Sequence, residues 1–112
     1  MQPSIEDKSC IWDAIDACND IQEFITGMTF TDFENSKMVR FAVERQLLVI
    51  GEASKNISEE FKKELESIPW KKIVGLRNII AHEYGELLVE RIWIVASENI
   101  LDLKKSLVKF IE

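Results

Sequence analysis

The sequence predicts an all-α fold, an up-and-down helical bundle of three long and two short helices. Apolar residues recur every three or four positions through most of the 112 residues, which is the period of an amphipathic helix. No segment combines two-residue alternation with hairpin turns, as paired strands would. Only four glycines and two prolines interrupt the chain, which favours long elements. The length allows one domain over residues 1–112 with a single core.

The first helix is predicted over about residues 6–25, and Thr26-Gly27 is expected to end it. Polar residues occupy the other side, as expected for a helix that packs on one face; they include Asp7, Asp13, Asp16, Asn19 and Asp20. Cys10 and Cys18 are eight residues apart on this helix, about 12 Å along its axis, so they cannot bridge each other. We interpret both as reduced, packed thiols. The apolar stripe of this helix is Ile11, Ile15, Cys18, Ile21 and Ile25.

A second long helix is predicted over about residues 37–56, with Ser36 as its N-cap. A short helical turn should precede it, because Thr31 and Glu34 have the spacing of a capping box. Gly51 lies inside the long helix, where glycine costs about 1 kcal/mol relative to alanine, so it suggests close contact with another helix. Three charged residues lie beside its apolar stripe: Glu44, Arg45 and Glu52.

Three further helices complete the prediction. Ser58 should cap a short helix to about residue 66, which ends before Pro69 because the residue before proline avoids the helical conformation. A fourth helix starts near Trp70 and closes around residues 82–84. The last helix, about residues 86–110, has apolar residues nearly all round. That excess predicts a partner, most simply a second copy of the chain.

The charge balance restricts the partners. With 20 acidic and 14 basic residues the net charge is −6, which argues against binding nucleic acid through bulk electrostatics, so any RNA must meet a local basic site. No helix has a sustained basic face for a membrane surface. No apolar run approaches the roughly 18 residues needed to span a bilayer, and the first residues lack a basic segment followed by an apolar one. We therefore expect a cytoplasmic location and no membrane partner.

The only histidine, His82, stands at the end of the fourth helix. A lone histidine usually has a structural role, but its neighbours favour a chemical one. Asn78 is one turn earlier on the same face, where its amide could orient the imidazole. Arg77 is five residues before His82, which places the two side chains about 140° apart on a regular helix. Either Arg77 reaches round the helix or, as we favour, two protomers converge at a twofold axis into a site with two arginines and two histidines.

Such a site has the groups that cleave RNA without a metal ion. The reaction needs a base that titrates near neutral pH to remove the proton of a 2′-hydroxyl, and a cation to stabilise the pentavalent phosphorane. Histidine and arginine supply these roles. A second histidine could protonate the leaving 5′-oxygen, which is a further reason to pair two copies.

Short motifs along nearly the whole chain support this interpretation. The sharpest is Arg-x4-His-x-Tyr, formed by Arg77, His82 and Tyr84. The others are Asp7-Lys8, Val43-Glu44-Arg45, Ile50-Gly51-Glu52-Ala53, Ile68-Pro69-Trp70 and Arg77-Asn78. On these motifs the chain resembles the HepT-type toxins of the HEPN superfamily.

The resemblance implies a dimeric, metal-independent endoribonuclease toxin of a type VII-like toxin-antitoxin pair, acting on RNA such as tRNA or mRNA without a cofactor. It also implies a cognate minimal nucleotidyltransferase antitoxin that silences the toxin by transferring AMP to the tyrosine, here Tyr84. An AMP group would add bulk and negative charge beside the cationic site and so repel RNA. The resemblance implies Arg77 and His82 as catalytic residues, with Asn78 in support.

Other residues admit two interpretations each. Lys71 and Lys72 either contact RNA phosphates or, as we favour, form a solvated helix face. The adjacent residues Glu44 and Arg45 either take part in an ion pair with another helix, as we favour, or reach the site that binds RNA. The tryptophans either stack on bases or, as we favour, pack in the core or an interface. An alternative function from another class is a non-catalytic substrate-binding or scaffold partner of a nucleotidyltransferase.

Overall fold

The computed structural model describes residues 3–82 and 89–111. These residues form α1 (Ile5–Phe24), α2 (Phe30–Glu34), α3 (Lys37–Asn56), α4 (Glu59–Glu64), α5 (Trp70–His82), α6 (Val89–Ile94), a π-helical segment (Val95–Asn99) and α7 (Ile100–Val108). This part of the chain contains no strand, so the all-α prediction is confirmed. None of its helices has the length and apolar character needed to cross a bilayer.

The predicted boundaries of the long helices are close to the observed ones. The second long helix is α3 with the expected bounds, and its N-cap Ser36 accepts a hydrogen bond from the Val39 N–H (3.3 Å). α1 ends where Gly27 adopts φ of 77°, a left-handed conformation that glycine tolerates best. The predicted capping box was wrong by two residues: Thr29 and Asp32 exchange the reciprocal hydrogen bonds, which lets Phe33 enter the core from within α2.

Asp7 is a buried carboxylate that ties α1 to the N-terminus of α4. Its Oδ1 accepts a hydrogen bond from the Ser58 backbone N–H (2.8 Å), and its Oδ2 accepts one from the Ser58 hydroxyl (2.6 Å). Burial acts to raise the pKa of Asp7, but the hydrogen bonds from Ser58 and Ser4 outweigh it and hold the pKa below its ordinary value. Because Ser58 lies just past the end of α3, α1 and α3 are antiparallel.

We expect Asp7→Asn to lower the free energy of unfolding by about 1.5 to 3 kcal/mol near neutral pH, because charge-assisted hydrogen bonds are lost from a buried position. Since the folded-state pKa is depressed, this stabilisation is fully present above the unfolded-state pKa of about 3.9 and is lost as pH falls through the folded-state pKa. Urea unfolding of both proteins over a pH series measures it. The difference between them should shrink in acid, and a difference that grows would contradict the assignment.

One core joins all the long helices. Phe33 and Phe61 anchor the short helices α2 and α4 to it, and Phe61 meets Phe110 edge to face with ring centroids 5.0 Å apart. Trp93 packs on Phe33 with ring centroids 5.2 Å apart, in agreement with the prediction that the tryptophans pack in the core or an interface. Trp12 is not in the core, since it is 49% exposed. The fully buried members of the core from the other helices include Ile11, Cys18, Ile21 and Val43.

The cysteines are free thiols, as predicted. Cys18 is buried, and burial raises the pKa of its thiol to about 12. The positive charge of Lys104 acts to lower this pKa, but its effect is the smaller one. Burial also raises the pKa of Cys10. Both groups therefore stay protonated at neutral pH and behave as packing residues.

The last helix departs from the regular helix that periodicity predicts over residues 86–110. It runs without a break from Val89 to Val108, but residues 95–99 form a π turn. The hydroxyl of Ser97 donates to the Trp93 carbonyl (2.6 Å) within this turn. The predicted start of the helix lies outside the described residues.

The spacing of the buried residues gives the physical reason for the π turn. On a regular α-helix each four-residue step rotates a side chain by about 40°, so two such steps in succession would carry it away from the core. A wider π turn takes up that rotation and keeps both halves of the helix facing inward. The buried residues of the helix are Ile92, Ala96, Ile100, Leu103 and Leu107.

Candidate functional site

α5 carries the sequence motif and is held at its first residue. The indole Nε1–H of Trp70 donates to the Leu65 carbonyl (3.1 Å), and the ammonium of Lys62 in α4 lies 5.8 Å from the ring centroid. Because α4 follows α3 directly, α5 begins near the end of α3 and runs back along it. α3 and α5 are therefore antiparallel neighbours.

Gly51 is a point of close approach between α3 and α5. A Cβ placed on Gly51 would overlap the Cβ of Arg77 and lie 2.6 Å from its Cγ. Both distances are too short for a van der Waals contact. The close helix contact predicted from this glycine is thus confirmed. The absence of a side chain at Gly51 lets the stem of Arg77 lie directly against the backbone of α3.

The guanidinium of Arg77 is held from two sides. Its Nη2 forms an ion pair with Oε2 of Glu52 at 3.2 Å, across the α3–α5 interface. Its Nη1 donates a hydrogen bond to Oδ1 of Asn78 at 3.0 Å. The side chain of Arg77 retains 27% of its exposure, so the group is both anchored and reachable from solvent. A guanidinium has five N–H donors, and these two contacts leave others available for a phosphate.

Asn78 is hydrogen-bonded to the arginine. Its carbonyl oxygen accepts from Arg77, and the structure records no hydrogen bond between Asn78 and His82 in the described part of the chain. The orientation of the imidazole by Asn78 therefore stays a prediction. The neighbouring guanidinium competes for the same amide oxygen, and a charged donor makes the stronger hydrogen bond.

His82 is exposed and is the last residue of α5. The helix is regular from Trp70 to His82, so Arg77 and His82 project about 140° apart, as the sequence predicts. Arg77 is directed to α3, whereas His82 is presented to solvent at the C-terminal end of the helix. The structure records no ion pair or hydrogen bond between these two residues within one chain.

The remaining predicted site residues surround this region without touching it. Lys71 and Lys72 are exposed on the first turn of α5, and Arg45 is exposed on α3. Arg45 precedes the Gly51 contact by six residues on the antiparallel helix, so it lies toward the end of α5 that carries His82. Within residues 3–82 and 89–111 the recorded ion pairs do not include Arg45. Tyr84 lies outside the described residues.

Glu44, beside Arg45, has a different environment. Burial raises the pKa of the Glu44 carboxyl, and the charge of Arg40 one turn earlier opposes that rise. Among residues 3–82 and 89–111 no ion pair joins Glu44 or Arg45 to another helix. Contact of Arg45 with RNA stays a prediction.

A groove with a volume of 740 Å³ separates α5 from the last helix, with α3 at its floor. Lys72 stands at its edge, and Ile94 beside it is 49% exposed. The residues that line it are mainly apolar, including Leu47, Ile50, Ile73, Leu76, Val95 and Leu103. Arg77 and Asn78 face away from this groove, so the groove and the motif are separate surfaces of α5.

A model of the HepT-like family, described as Ribonuclease HepT-like, matches residues 14–110. The chain belongs to the HepT-like family. This match includes α3, α5 and the last helix, and so it contains Glu52, Arg77 and His82. The resemblance carried by the sequence motifs is confirmed at the level of the HepT-like family.

Three curated relatives match over most of their length. "Putative RNase MJ1380" of Methanocaldococcus jannaschii is 38% identical over 98 residues, which cover 88% of this chain and 90% of the relative. "Probable ribonuclease HepT" of Thermococcus cleftensis is 38% identical over 97 residues, covering 87% of this chain and 88% of the relative. "Putative RNase MJ0125" of Methanocaldococcus jannaschii is 32% identical over 110 residues, covering 98% and 95%. No solved structure matches the chain.

Sequence reasoning on this HepT-like chain did not assign Glu52 a role. It placed the residue beside the apolar stripe of its helix and within one of the family motifs. The signal that could have identified it is the preceding glycine, because a glycine inside a helix marks a close neighbour, and the next residue then borders that contact. What periodicity cannot supply is the identity of the neighbour, Arg77.

Proposed function

We propose that this chain is a metal-independent endoribonuclease in which Arg77 and His82 act on one RNA phosphodiester. The observation that carries the proposal is the guanidinium of Arg77, fixed by Glu52 and Asn78 while still open to solvent, on the helix that ends in an exposed His82. Preorganised cations aimed at developing charge are the usual means of stabilising a phosphorane. Membership of the HepT-like family and the names of its relatives support the same activity.

The reaction balances with the groups available. His82 accepts the proton of the 2′-hydroxyl, and the 2′-oxygen then forms a bond to the adjacent phosphorus. Arg77 stabilises the non-bridging oxygens of the phosphorane. The bond from phosphorus to the 5′-oxygen breaks, and that oxygen takes a proton from a second histidine. The products are a 2′,3′-cyclic phosphate and a 5′-hydroxyl.

The active form in this proposal is a homodimer. Arg77 and His82 diverge on one helix, and a twofold axis near α5 would bring the histidine of one protomer to the arginine of the other. Half-exposed Ile94 and exposed Leu101 on the last helix offer apolar surface for a second copy. Pairing also concentrates cations, since two copies of Lys71, Lys72 and Arg45 would offset an overall charge of −6 near the RNA.

Regulation follows from the motif tyrosine. In this proposal a minimal nucleotidyltransferase antitoxin transfers AMP from ATP to the hydroxyl of Tyr84, two residues after His82, and pyrophosphate is released. The added phosphate places negative charge where the RNA backbone must approach, so cleavage stops. The pair would then act as a toxin and its antitoxin in the cytoplasm.

The proposal predicts that the purified protein cleaves RNA in the presence of EDTA and leaves 2′,3′-cyclic phosphate ends. Denaturing gels and mass spectrometry of the fragments measure both results.

Incubation with the antitoxin and ATP should add one AMP to Tyr84 and abolish cleavage, while Tyr84→Phe should cleave RNA and resist silencing. Cleavage that requires a divalent metal would contradict the mechanism. An AMP adduct on a protein without nuclease activity would instead favour a non-catalytic partner of the nucleotidyltransferase.

A further inference from the structure

We infer that Glu52 is a positioning residue for Arg77, and that its ion pair holds the guanidinium in the orientation that meets the scissile phosphate. This inference rests on the proposed function for its catalytic consequence, but the ion pair itself is a property of the folded chain. No contact with RNA is assigned to Glu52. It acts through Arg77.

The first argument is geometric. Arg77 has a long, flexible side chain, yet its first two carbons are fixed against Gly51 and its Nη2 is fixed by Glu52 at 3.2 Å. Both contacts come from consecutive residues of α3, so one turn of that helix sets the position of the stem and of the charged end together. Asn78 fixes Nη1 from the other side. The planar group is thus constrained in direction, and not only in location.

The second argument concerns what the pair is for. The side chain of Glu52 is 51% exposed, and an exposed ion pair contributes little to the stability of a fold because water screens it. Placing a carboxylate beside the cation also weakens the attraction of that cation for RNA. This loss matters in a protein whose net charge is already −6. Orientation is the benefit that remains, since a reacting group displaced by about 1 Å can lose about 100-fold in rate.

The test compares Glu52→Gln with wild type in EDTA under steady-state conditions, with kcat and KM determined separately. Glutamine keeps the size of the side chain and removes its charge. We expect kcat to fall about 10- to 100-fold with KM within about twofold, because the lost interaction is one that matters in the transition state. The melting temperature should move by less than about 3 °C.

Glu59→Gln is the matched control. Glu59 also pairs with a basic residue of the chain, Lys62 at 3.7 Å, and its side chain is 85% exposed. The substitution removes the same charge from the protein but lies on α4, away from the motif. Its kcat and KM should match those of wild type. A fall in kcat for both variants would point to a general effect of charge and would overturn the positioning role.

A second readout does not depend on nuclease activity. Nitrogen-15 relaxation of the Arg77 guanidinium reports how freely the group rotates, and Glu52→Gln should increase its motion while Glu59→Gln leaves it unchanged. If wild type does not cleave RNA, the proposed function fails, but the relaxation measurement still decides whether Glu52 immobilises Arg77. Unchanged motion in Glu52→Gln would overturn the inference. So would an unchanged kcat with a lower KM, which is the result expected if Glu52 only neutralised charge.

Discussion

Replacing His82 by alanine should reduce kcat for RNA cleavage by about 10²- to 10⁴-fold, the usual contribution of a general acid or base. His82 is exposed at the last residue of α5, so its removal should leave the fold intact. Cleavage kinetics in EDTA, together with a thermal melt of each protein, measure both expectations. A variant that retains most of its activity would show that the imidazole takes no part in proton transfer.

Arg77 is the second residue with a large expected effect on kcat, and the choice of substitution matters because its side chain also packs against α3. Arg77→Ala should lower kcat by about 10²- to 10³-fold through lost stabilisation of the phosphorane. It also removes the stem that packs on Gly51, so Arg77→Lys is the better variant. Lysine keeps a stem and a charge but lacks the planar fork that meets Glu52, Asn78 and a phosphate together. Activity close to that of wild type in Arg77→Lys would mean that charge alone suffices.

Gly51→Ala should damage both stability and activity, although it adds only one methyl group to a helix. The new Cβ would overlap Arg77, so α3 and α5 must separate or the arginine must move. Overpacking of this kind costs about 1 to 3 kcal/mol and should lower the melting temperature by about 4 to 12 °C. Displacement of Arg77 should lower kcat by at least about tenfold. Urea unfolding and cleavage kinetics measure the two effects.

Gly75→Ala is the control for Gly51→Ala, because Gly75 also lies within a helix but nothing lies within 4 Å of a Cβ built there. Alanine should therefore stabilise α5 by about 0.5 to 1 kcal/mol through its higher helix propensity. Changes of opposite sign in the free energy of unfolding of Gly51→Ala and Gly75→Ala would show that the Gly51 contact, and not helix propensity, governs the result. Destabilisation of similar size at both positions would contradict the assigned role of Gly51.

Local signals in the sequence predicted most of the fold. Ser36 and Ser58 cap helices where the pattern places them, Gly27 ends α1, and Gly51 marks a close contact. These features depend on a few neighbouring residues and on backbone chemistry. The π turn was missed because a helical period averages over it, and only the exact succession of buried residues reveals it.

The candidate site was only partly predictable. Arg77 and His82 were proposed from their chemistry and spacing, and their divergence follows from the geometry of one helix. The contact between Glu52 and Arg77 joins residues 25 positions apart in the chain, and it depends on how α3 packs against α5. Asn78 adjoins Arg77 in the chain and lies one helical turn before His82, so spacing alone leaves its amide two possible partners. In the structure its carbonyl oxygen accepts a hydrogen bond from Arg77.

The composite site is tested most directly by complementation between inactive variants. Arg77→Lys or Arg77→Ala chains carrying one affinity tag are co-expressed with His82→Ala chains carrying another, and mixed dimers are isolated by both tags. If two protomers contribute to one site, a mixed dimer keeps one arginine and one histidine in that site and should cleave RNA faster than either parent variant, while its kcat stays about 10²-fold or more below that of wild type because one of the two proton transfers lacks its histidine. Mixed dimers as inactive as either parent would show that each chain needs its own arginine and histidine, and the shared site would be refuted.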